Sequence, residues 1–423
     1  MMTPPPVASP ANKDASLFRT ADGRNHAFTF LLTCSLFLLW GTCSGLLDNL
    51  NKHFQNSLHL SKFESGFVQN AFYMGYFIMA LPAGLVARRF GYKGGIILGL
   101  TLAAAGAFWF VEATAIDTYA AFLLGLFVLA SGLACLETIA NPYATVLGPP
   151  GSGATRINMA QTCNGLGWIS GMFIGAHVIL SATTEVNTSN SQLYIPYLGI
   201  GIAVAILLVV FIFARIPDLR ATEEFKAEAG GVSDRPIYQR SHFTLGVVAQ
   251  FLYVAAQTGI FSFFINYAVV NISNLSDRSA GNLQAVAFAL FAAGRLVGSA
   301  VVGLGKPHRA LAIYAIINTA MMVLAMVGGG WAGVFSLMAS FFFMSIMFPT
   351  IFALSIRGLG EHTKLGSSIL VMSVVGGAIT PLMGLIADKG GMKVGFVMPL
   401  VCFLFIAFYA ANWVRLEAKD AKA

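Results

Sequence analysis

The sequence predicts an all-α integral membrane protein of twelve transmembrane helices, arranged as two six-helix bundles. Of its 423 residues, 57% are hydrophobic and only 10% are charged, and a chain with so few charges cannot present a water-soluble surface. Segments of about 20 apolar residues, the length at which a helix crosses a bilayer, recur along the whole chain. Twelve such segments are predicted, at residues 27–50, 63–86, 92–112, 118–147, 156–181, 194–215, 242–270, 280–304, 308–329, 331–356, 364–387 and 394–415.

Polar segments divide the chain into five predicted regions. The first 25 residues are polar and rich in proline, which is typical of a disordered tail rather than a cleaved signal peptide. The longest polar interruption, from Pro217 to His242, separates six apolar segments from six. The predicted regions are a disordered tail at 1–26, a six-helix bundle at 27–216, a linker at 217–241, a second six-helix bundle at 242–416 and a short tail at 417–423.

The distribution of basic residues predicts the orientation of the chain. An even number of spans places both termini on the same side. Nineteen of the 25 Lys and Arg residues then fall on the side of the termini, five fall on the opposite side, and Arg295 lies within a span. Because Lys and Arg accumulate in cytoplasmic loops, both termini are expected in the cytoplasm. The net charge of +7 therefore reflects membrane topology rather than binding to nucleic acid.

The two sets of six spans carry a weak internal repeat. At an offset of 214 residues, FLLWGTCSGLLD in the first span aligns with FLYVAAQTGIFS in the seventh, and Asp48 falls opposite Ser262. A second alignment, on the prolines of the fourth and tenth spans, sets Glu137 opposite Met344. Duplicated halves with a binding site between them are typical of transporters. Only the first half keeps an acid at these two positions.

Two acidic residues, Asp48 and Glu137, lie deep within predicted spans. An ionised carboxylate in hydrocarbon is costly, so such a residue usually faces a water-filled cavity or a partner. A carboxylic acid in a poorly hydrated cavity can take up and release a proton near neutral pH. The two acids therefore favour proton-coupled transport over a role as simple helix contacts, since a charge is a poor choice for joining helices.

Amide and aromatic residues recur on the same spans at helical spacing. Amides and carboxylates match the donors and acceptors of sugar hydroxyls, which predicts a wet cavity that binds a small polar substrate. The opposite interpretation, that these side chains only join helices, is equally compatible with any single amide. The candidate substrate-binding residues besides Glu137 are Asn51, Tyr73, Asn141, Gln161, Asn164, Tyr253 and Gln257.

Arg295 is the one basic residue within a span, in the segment GRLVG. It is expected to act as a gate or as a pairing partner for an acid, or to extend its charge to the membrane surface. No nucleotide-binding loop, cluster of metal ligands or pair of nucleophile and base stands out in the sequence. The five cysteines all fall within spans and lack metal-ligand spacing. The sequence therefore predicts neither an enzyme nor a cofactor or metal.

Four segments resemble the fucose–galactose–glucose:proton symporter family of the major facilitator superfamily. They are FLLWGTCSGLLDNLNKHFQ, ESGFVQNAFYMGYFIMALPAG, LACLETIANPYATVLGP and NMAQTCNGLG. The resemblance implies the major facilitator fold, alternating access and proton-driven sugar uptake. The protein is expected to act as a monomer in the bacterial cytoplasmic (inner) membrane. The family's span 1 acid, implicated in proton coupling, falls on Asp48. Its span 4 acid, implicated in sugar recognition and coupling, falls on Glu137.

The sequence departs from this family next to the first acid. An asparagine directly precedes that acid in the family, whereas Leu47 precedes Asp48 here and Asn49 follows it. The sugar is therefore left open, with L-fucose the first expectation, followed by glucose, galactose, mannose and N-acetylglucosamine. A proton is the expected coupling ion, ahead of sodium. The alternative functions are a multidrug:proton antiporter and a sugar sensor that does not transport.

Overall fold

The structure is a computed structural model that describes residues 17–19, 23–149, 153–180, 193–217, 236–303, 306–359 and 362–421. Twelve long helices account for nearly all of these residues, so the predicted fold class is confirmed. They are α1 (Ala27–Ser57), α2 (Lys62–Ala87), α3 (Arg89–Ile116), α4 (Tyr119–Val146), α5 (Gly153–Val178), α6 (Tyr194–Phe213), α7 (Ser241–Asn271), α8 (Asp277–Gly303), α9 (Pro307–Val327), α10 (Gly330–Ile356), α11 (Leu365–Gly390) and α12 (Met392–Asp420).

Helix α5 is the most polar of the twelve. Eleven of the described helices are long and apolar enough to cross a membrane by length and composition alone, and α5 is not among them. Its 26 residues nevertheless span about 39 Å. A side chain at Gly41 would strike the backbone of Asn164, and one at Gly171 would strike the backbone of Thr42. Small residues that let two backbones meet are typical of helices packed within a membrane.

Two helices of the second bundle are irregular near their middle. Helix α10 is interrupted at Ser345, four residues before Pro349, and a proline ring cannot be accommodated by the carbonyl one turn earlier in a regular helix. Helix α11 becomes a 3₁₀-helix from Ser373 to Ile379. There, Gly377 lies directly against the ring of Tyr73 on α2, so this irregular stretch forms part of the contact between the bundles.

Each bundle has its own apolar core. Leu50, Phe110 and Phe122 are buried in the first, and Phe263 and Phe403 are buried in the second. Met172 of α5 and Leu180 just after it pack into the second core, so the first bundle contacts that core through α5.

The bundles meet at one end of the molecule. Among the described residues, every recorded hydrogen bond or ion pair between them joins residues 48–70 to residues 262–388. We call this the closed end. The opposite end, which holds the first residues of α1 and α7 and the last residues of α12, is called the linker end. Polar contacts at one end alone are the arrangement expected of a cavity that opens at the other.

Parts of the predicted tails are structured at the linker end. The His26 amide donates to the Phe18 carbonyl at 2.8 Å, and Arg156 donates to the Leu17 carbonyl at 2.9 Å, so residues next to α1 are held against the first bundle rather than disordered. Helix α12 continues through residues assigned to the C-terminal tail because Asp420 pairs with His242 at 2.8 Å. Residues 218–235 of the linker lie outside the described ranges.

Candidate functional site

Asp48 connects the two bundles beneath the closed end. Its side chain is buried, with 3% of the residue exposed. One carboxylate oxygen accepts from Gln69 of α2 at 2.9 Å and from Ser262 of α7 at 3.4 Å. The other oxygen accepts from Gln284 of α8 at 3.0 Å. Three donors from three helices match the acceptor sites of an ionised carboxylate.

The contact between Asp48 and Ser262 joins positions that the internal repeat aligns. These two residues are separated by 214 positions in the chain, which is the offset of the sequence repeat. Helices α1 and α7 therefore cross close to the pseudo-symmetry axis that relates the two halves. At this point the first half supplies a carboxylate, and the second supplies the hydroxyl that donates to it.

Further polar contacts close the end above Asp48. The amides of Gln55 and Asn266 bond to each other across the bundles. Asn56 donates to Asp277 at 2.6 Å, and Lys52 pairs with the same carboxylate at 3.7 Å.

Asp388, at the end of α11, makes the outermost of these contacts. It accepts from the backbone amides of Lys62 and Phe63 at 3.1 and 2.9 Å, and from the Lys62 ammonium group at 3.2 Å. It therefore satisfies two of the otherwise unpaired amides at the start of α2. The closed end is held by acids of the second half that bind α1 and α2 of the first.

An aromatic cluster adds an apolar layer to the same interface. Trp168 of α5 meets Phe288 of α8 at 5.0 Å and Phe261 of α7 at 6.0 Å between ring centroids. Phe341 of α10 stacks on Phe261 at 4.5 Å. Rings from both halves thus exclude water on the side of the bundles where Asp48 is buried.

Glu137 has a different environment. It lies on α4 about two and a half turns closer to the linker end than Asp48 lies on α1, and it is only half-buried. None of the described residues donates a hydrogen bond to its carboxylate. Tyr73 and Tyr76 are its electrostatic neighbours. Glu137 therefore differs from Asp48 in having no hydrogen-bond donor among the described residues.

Tyr73 links the two acids and the two halves. Its charged or titratable neighbours are Asp48, Glu137 and Tyr253. Tyr73 is half-buried, whereas Tyr253 is fully buried and donates to the Met344 carbonyl at 2.9 Å. Tyr73 therefore borders the region between the acids, while the hydroxyl of Tyr253 joins α7 to α10.

The candidate amides fall into two groups. Gln161 donates to Asn141 at 3.2 Å, and both side chains are half-buried, as is that of Gln257. Like Glu137, these three side chains are only partly buried. Asn164 instead donates to the Phe37 carbonyl at 3.2 Å, and Asn51 accepts from Gln55 at 2.9 Å while fully buried. For Asn164, whose acceptor Phe37 belongs to α1, the structure favours the helix-joining interpretation. The bond of Asn51 stays within α1, because Gln55 lies one turn further along the same helix.

Arg295 lies on α8 with its guanidinium 5.2 Å from the centre of the Phe291 ring. Tyr253 is its titratable neighbour. Its position against an aromatic ring and next to α7 is compatible with a gate, one of the three roles expected from the sequence.

Several residues of this interface were not assigned to a site from the sequence, among them Gln284, Asp277 and Asp388. Gln284 and Asp277 belong to the most polar part of α8, near a segment boundary, where no single-helix pattern distinguishes them. Asp388 stands in GLIADKGGMK, a motif with a conspicuous acid whose partner lies 326 residues away.

Asn49, which follows Asp48 in the sequence, joins two helices. Its amide donates to the Met172 carbonyl of α5 at 3.1 Å. In the described part of the chain, no group of three His, Cys, Asp or Glu side chains could hold a metal ion.

Comparisons with known proteins agree with this architecture. The sequence profile of the Major Facilitator Superfamily matches residues 29–381. The chain is 38% identical over 408 residues to the L-fucose-proton symporter of Escherichia coli K12, covering 92% of this chain and 93% of that protein. It is 36% identical over 394 residues to the glucose/galactose transporter of Brucella abortus, covering 92% and 95%. The family resemblance seen in the motifs is thereby confirmed.

Solved structures show the same fold. The crystal structure of the Major Facilitator Superfamily transporter FucP in the outward conformation superposes with a TM-score of 0.67 at 37% identity, covering 92% of this chain and 99% of that one. A bacterial homologue of the lysosomal transporter Spinster in an inward-facing conformation gives 0.72 at 14% identity, covering 93% and 98%.

Proposed function

The chain belongs to the Major Facilitator Superfamily, and on that premise we propose that it is a proton-coupled sugar symporter. It imports a hexose or deoxyhexose by alternating access, with L-fucose the first candidate. The observation that carries this proposal is the buried carboxylate of Asp48, which accepts hydrogen bonds from both bundles at the point where they meet.

Asp48 can couple protonation to the relative position of the bundles. In the conformation closed at this end, an ionised Asp48 has its acceptor sites filled by Gln69, Ser262 and Gln284. When the bundles separate here, Ser262 and Gln284 move away with the second half, and the carboxylate faces external water. It then takes up a proton, and the neutral acid no longer needs the three donors as strongly.

The sugar site lies in the open region around Glu137. Glu137, Asn141, Gln161 and Gln257 offer carboxylate and amide groups at half-buried positions, and such groups pair with sugar hydroxyls in both directions. Tyr73 adds an aromatic face between this group and Asp48. A sugar bound at this site is therefore separated from Asp48 by a single side chain, that of Tyr73.

The orientation of the bundles follows from the basic residues. We assign the linker end to the cytoplasm because 19 of the 25 Lys and Arg residues belong to that side. The conformation described here is then open to the cytoplasm. We place the protein, as a monomer, in the bacterial inner membrane. Its relatives named for L-fucose, glucose and galactose support a sugar over a drug as the substrate.

The test is a pH measurement outside lightly buffered, de-energised cells that express the protein. Each candidate sugar is added in turn, and alkalinisation with one of them identifies both substrate and proton symport. Asp48→Asn and Glu137→Gln are expected to abolish the signal. Asp117→Asn removes an acid from the exposed turn before α4, where asparagine tolerates the φ of 49°, and is expected to leave it unchanged.

Three outcomes contradict the proposal. Uptake of labelled sugar without alkalinisation would indicate sodium coupling or facilitated diffusion. A signal that survives Asp48→Asn removes this residue from proton coupling. No signal and no uptake with any sugar favour the antiporter or the sensor.

A further inference from the structure

A second candidate site lies at the linker end of the second bundle, away from both acids. A cleft of about 340 Å³ opens between the first turns of α9 and the last turns of α12. The cleft remains open because the residues that line it between the two helices are small, namely Ala312, Ala410 and Ala411. Val414 extends its apolar wall. The cleft is a surface feature between two helices rather than part of the central cavity.

The rim of the cleft is positively charged. His308 and Arg309 of α9 face Arg415 of α12, and both arginines are exposed. No acid forms an ion pair with either arginine among the described residues. The nearby Glu417 is held at 3.2 Å by Arg357. The positive end of the α9 macrodipole, which begins at Pro307, adds to the same field. The cleft therefore suits an anionic group.

Exposed apolar stripes run from the cleft toward the middle of the membrane. On α12 the stripe consists of Val401, Leu404 and Phe408, each exposed by half or more of its surface and spaced by three and four residues. On α9, Ile313 and Ile316 are similarly exposed. In a membrane protein such faces contact acyl chains. An amphiphile with an anionic head and apolar chains matches the cleft and the stripes together.

The corresponding place in the first bundle is filled by the protein itself. There, Lys93 of α3 donates to the carbonyls of Ile212 and Ala214 at the end of α6, at 2.8 and 2.9 Å. A basic side chain thus neutralises the carboxyl end of α6. In the second bundle the equivalent helix pair leaves its two arginines pointing into an open cleft.

We propose that this cleft binds the phosphate of one anionic phospholipid, such as phosphatidylglycerol, from the leaflet at the linker end. Arg309 and Arg415 hold the phosphate, and the alanine floor and the α12 stripe accept the acyl chain. Phosphatidylcholine, whose phosphate is balanced by a fixed positive charge, binds the cleft much more weakly. The proposal is independent of which sugar or ion the protein transports.

The test is native mass spectrometry of the purified full-length protein with phosphatidylglycerol or phosphatidylcholine of matched chain length. Wild type is expected to hold one phosphatidylglycerol more tightly than any later lipid. A basic residue near an anionic lipid contributes roughly fivefold in affinity. R309Q/R415Q is therefore expected to weaken this first binding event about 25-fold, and either single substitution about fivefold.

The matched control is Arg215→Gln. Arg215 is exposed at the same end of α6, the helix that corresponds to α12, and its loss is expected to leave the first binding event unchanged. R309K/R415K keeps both charges and should retain most of the affinity. If the double variant does not fold, the two single variants provide the test of lipid binding.

Specific results overturn the proposal. Equal binding of phosphatidylcholine, equal loss in Arg215→Gln, or unchanged binding in both single variants each contradicts it. Displacement of the lipid by millimolar inorganic phosphate means that the cleft recognises a free anion instead.

Discussion

The two acids that lie deep within the spans, Asp48 and Glu137, have opposite surroundings. Asp48 accepts from Gln69, Ser262 and Gln284 and is 3% exposed. Glu137 is half-buried and accepts no hydrogen bond from any described residue. A carboxylate whose acceptor sites are filled by two moving bundles is suited to report their position. A carboxylate with vacant acceptor sites is suited to bind a ligand.

The largest effect is expected at Asp48, where one substitution should separate the accumulation of sugar from its exchange. Asp48→Asn should abolish accumulation of sugar against its gradient, because the amide cannot carry the proton, but should allow exchange of labelled for unlabelled sugar. Steady-state uptake in energised cells and counterflow in proteoliposomes measure the two quantities. A variant that still accumulates sugar would show that Asp48 is not the coupling residue.

Glu137→Gln should act on binding. A hydrogen bond to a charged group contributes about 1.5–3 kcal/mol, so the sugar Kd is expected to rise by roughly tenfold to a hundredfold. Isothermal titration with purified protein measures this change. Asp48→Asn is the comparison and should change Kd far less; equal losses of affinity in both variants would remove the distinction between the acids.

A smaller effect is expected from the donors of Asp48. Gln284→Leu leaves a buried carboxylate short of one donor in the closed conformation, at a cost of about 1–3 kcal/mol, and should open the closed end roughly tenfold more often. Spin labels at Thr118→Cys and Arg278→Cys, in a background without native cysteines, report the distance across that end.

The control for this variant is Gln250→Leu. Gln250 is a fully buried amide whose side-chain atoms have no hydrogen-bond partner among the described residues, so leucine should not move the conformational equilibrium. An identical distance distribution in Gln284→Leu and wild type would mean that Asp48 does not hold the bundles together.

The smallest expected effect is at the rim. Lys62 and Asp388 form a partly exposed ion pair at 3.2 Å, and such pairs contribute about 0.2–1 kcal/mol. Lys62→Gln should therefore change the population of the conformation that is open at this end by less than fivefold, as measured with the same spin labels. Arg357→Gln, which breaks an ion pair within the second half alone, should cause no shift. A large effect of Lys62→Gln would mean that the ion pair at the rim, rather than Asp48, holds the closed end together.

The fold could be predicted from the sequence because a bilayer imposes length and apolarity on each helix separately. Even α5, which is more polar than the other spans, was among the twelve segments predicted from the sequence. Helix ends were less predictable: α1 was expected to end near residue 50 but continues to Ser57. Its last turns are polar and are held by contacts with α8, such as that between Asn56 and Asp277.

The candidate site was predictable in part for the same reason. The cost of burying charge singles out Asp48 and Glu137 in any sequence, and the repeat aligned Asp48 with its actual neighbour Ser262. Amides carry no such cost, so Asn164 and Asn51 could not be separated from Gln161 and Gln257 by pattern. Gln284 and Asp388 depend on how the two halves dock, which no local pattern records.

The contact between Asp48 and Ser262, its counterpart in the internal repeat, also limits the number of protons moved in each transport cycle. In a chain with two identical halves, two carboxylates would face each other on the axis, and one would have to remain protonated. With Ser262 in place of the second acid, this position holds one titratable group. It can therefore carry no more than one proton in each transport cycle, and any second proton would have to travel on Glu137.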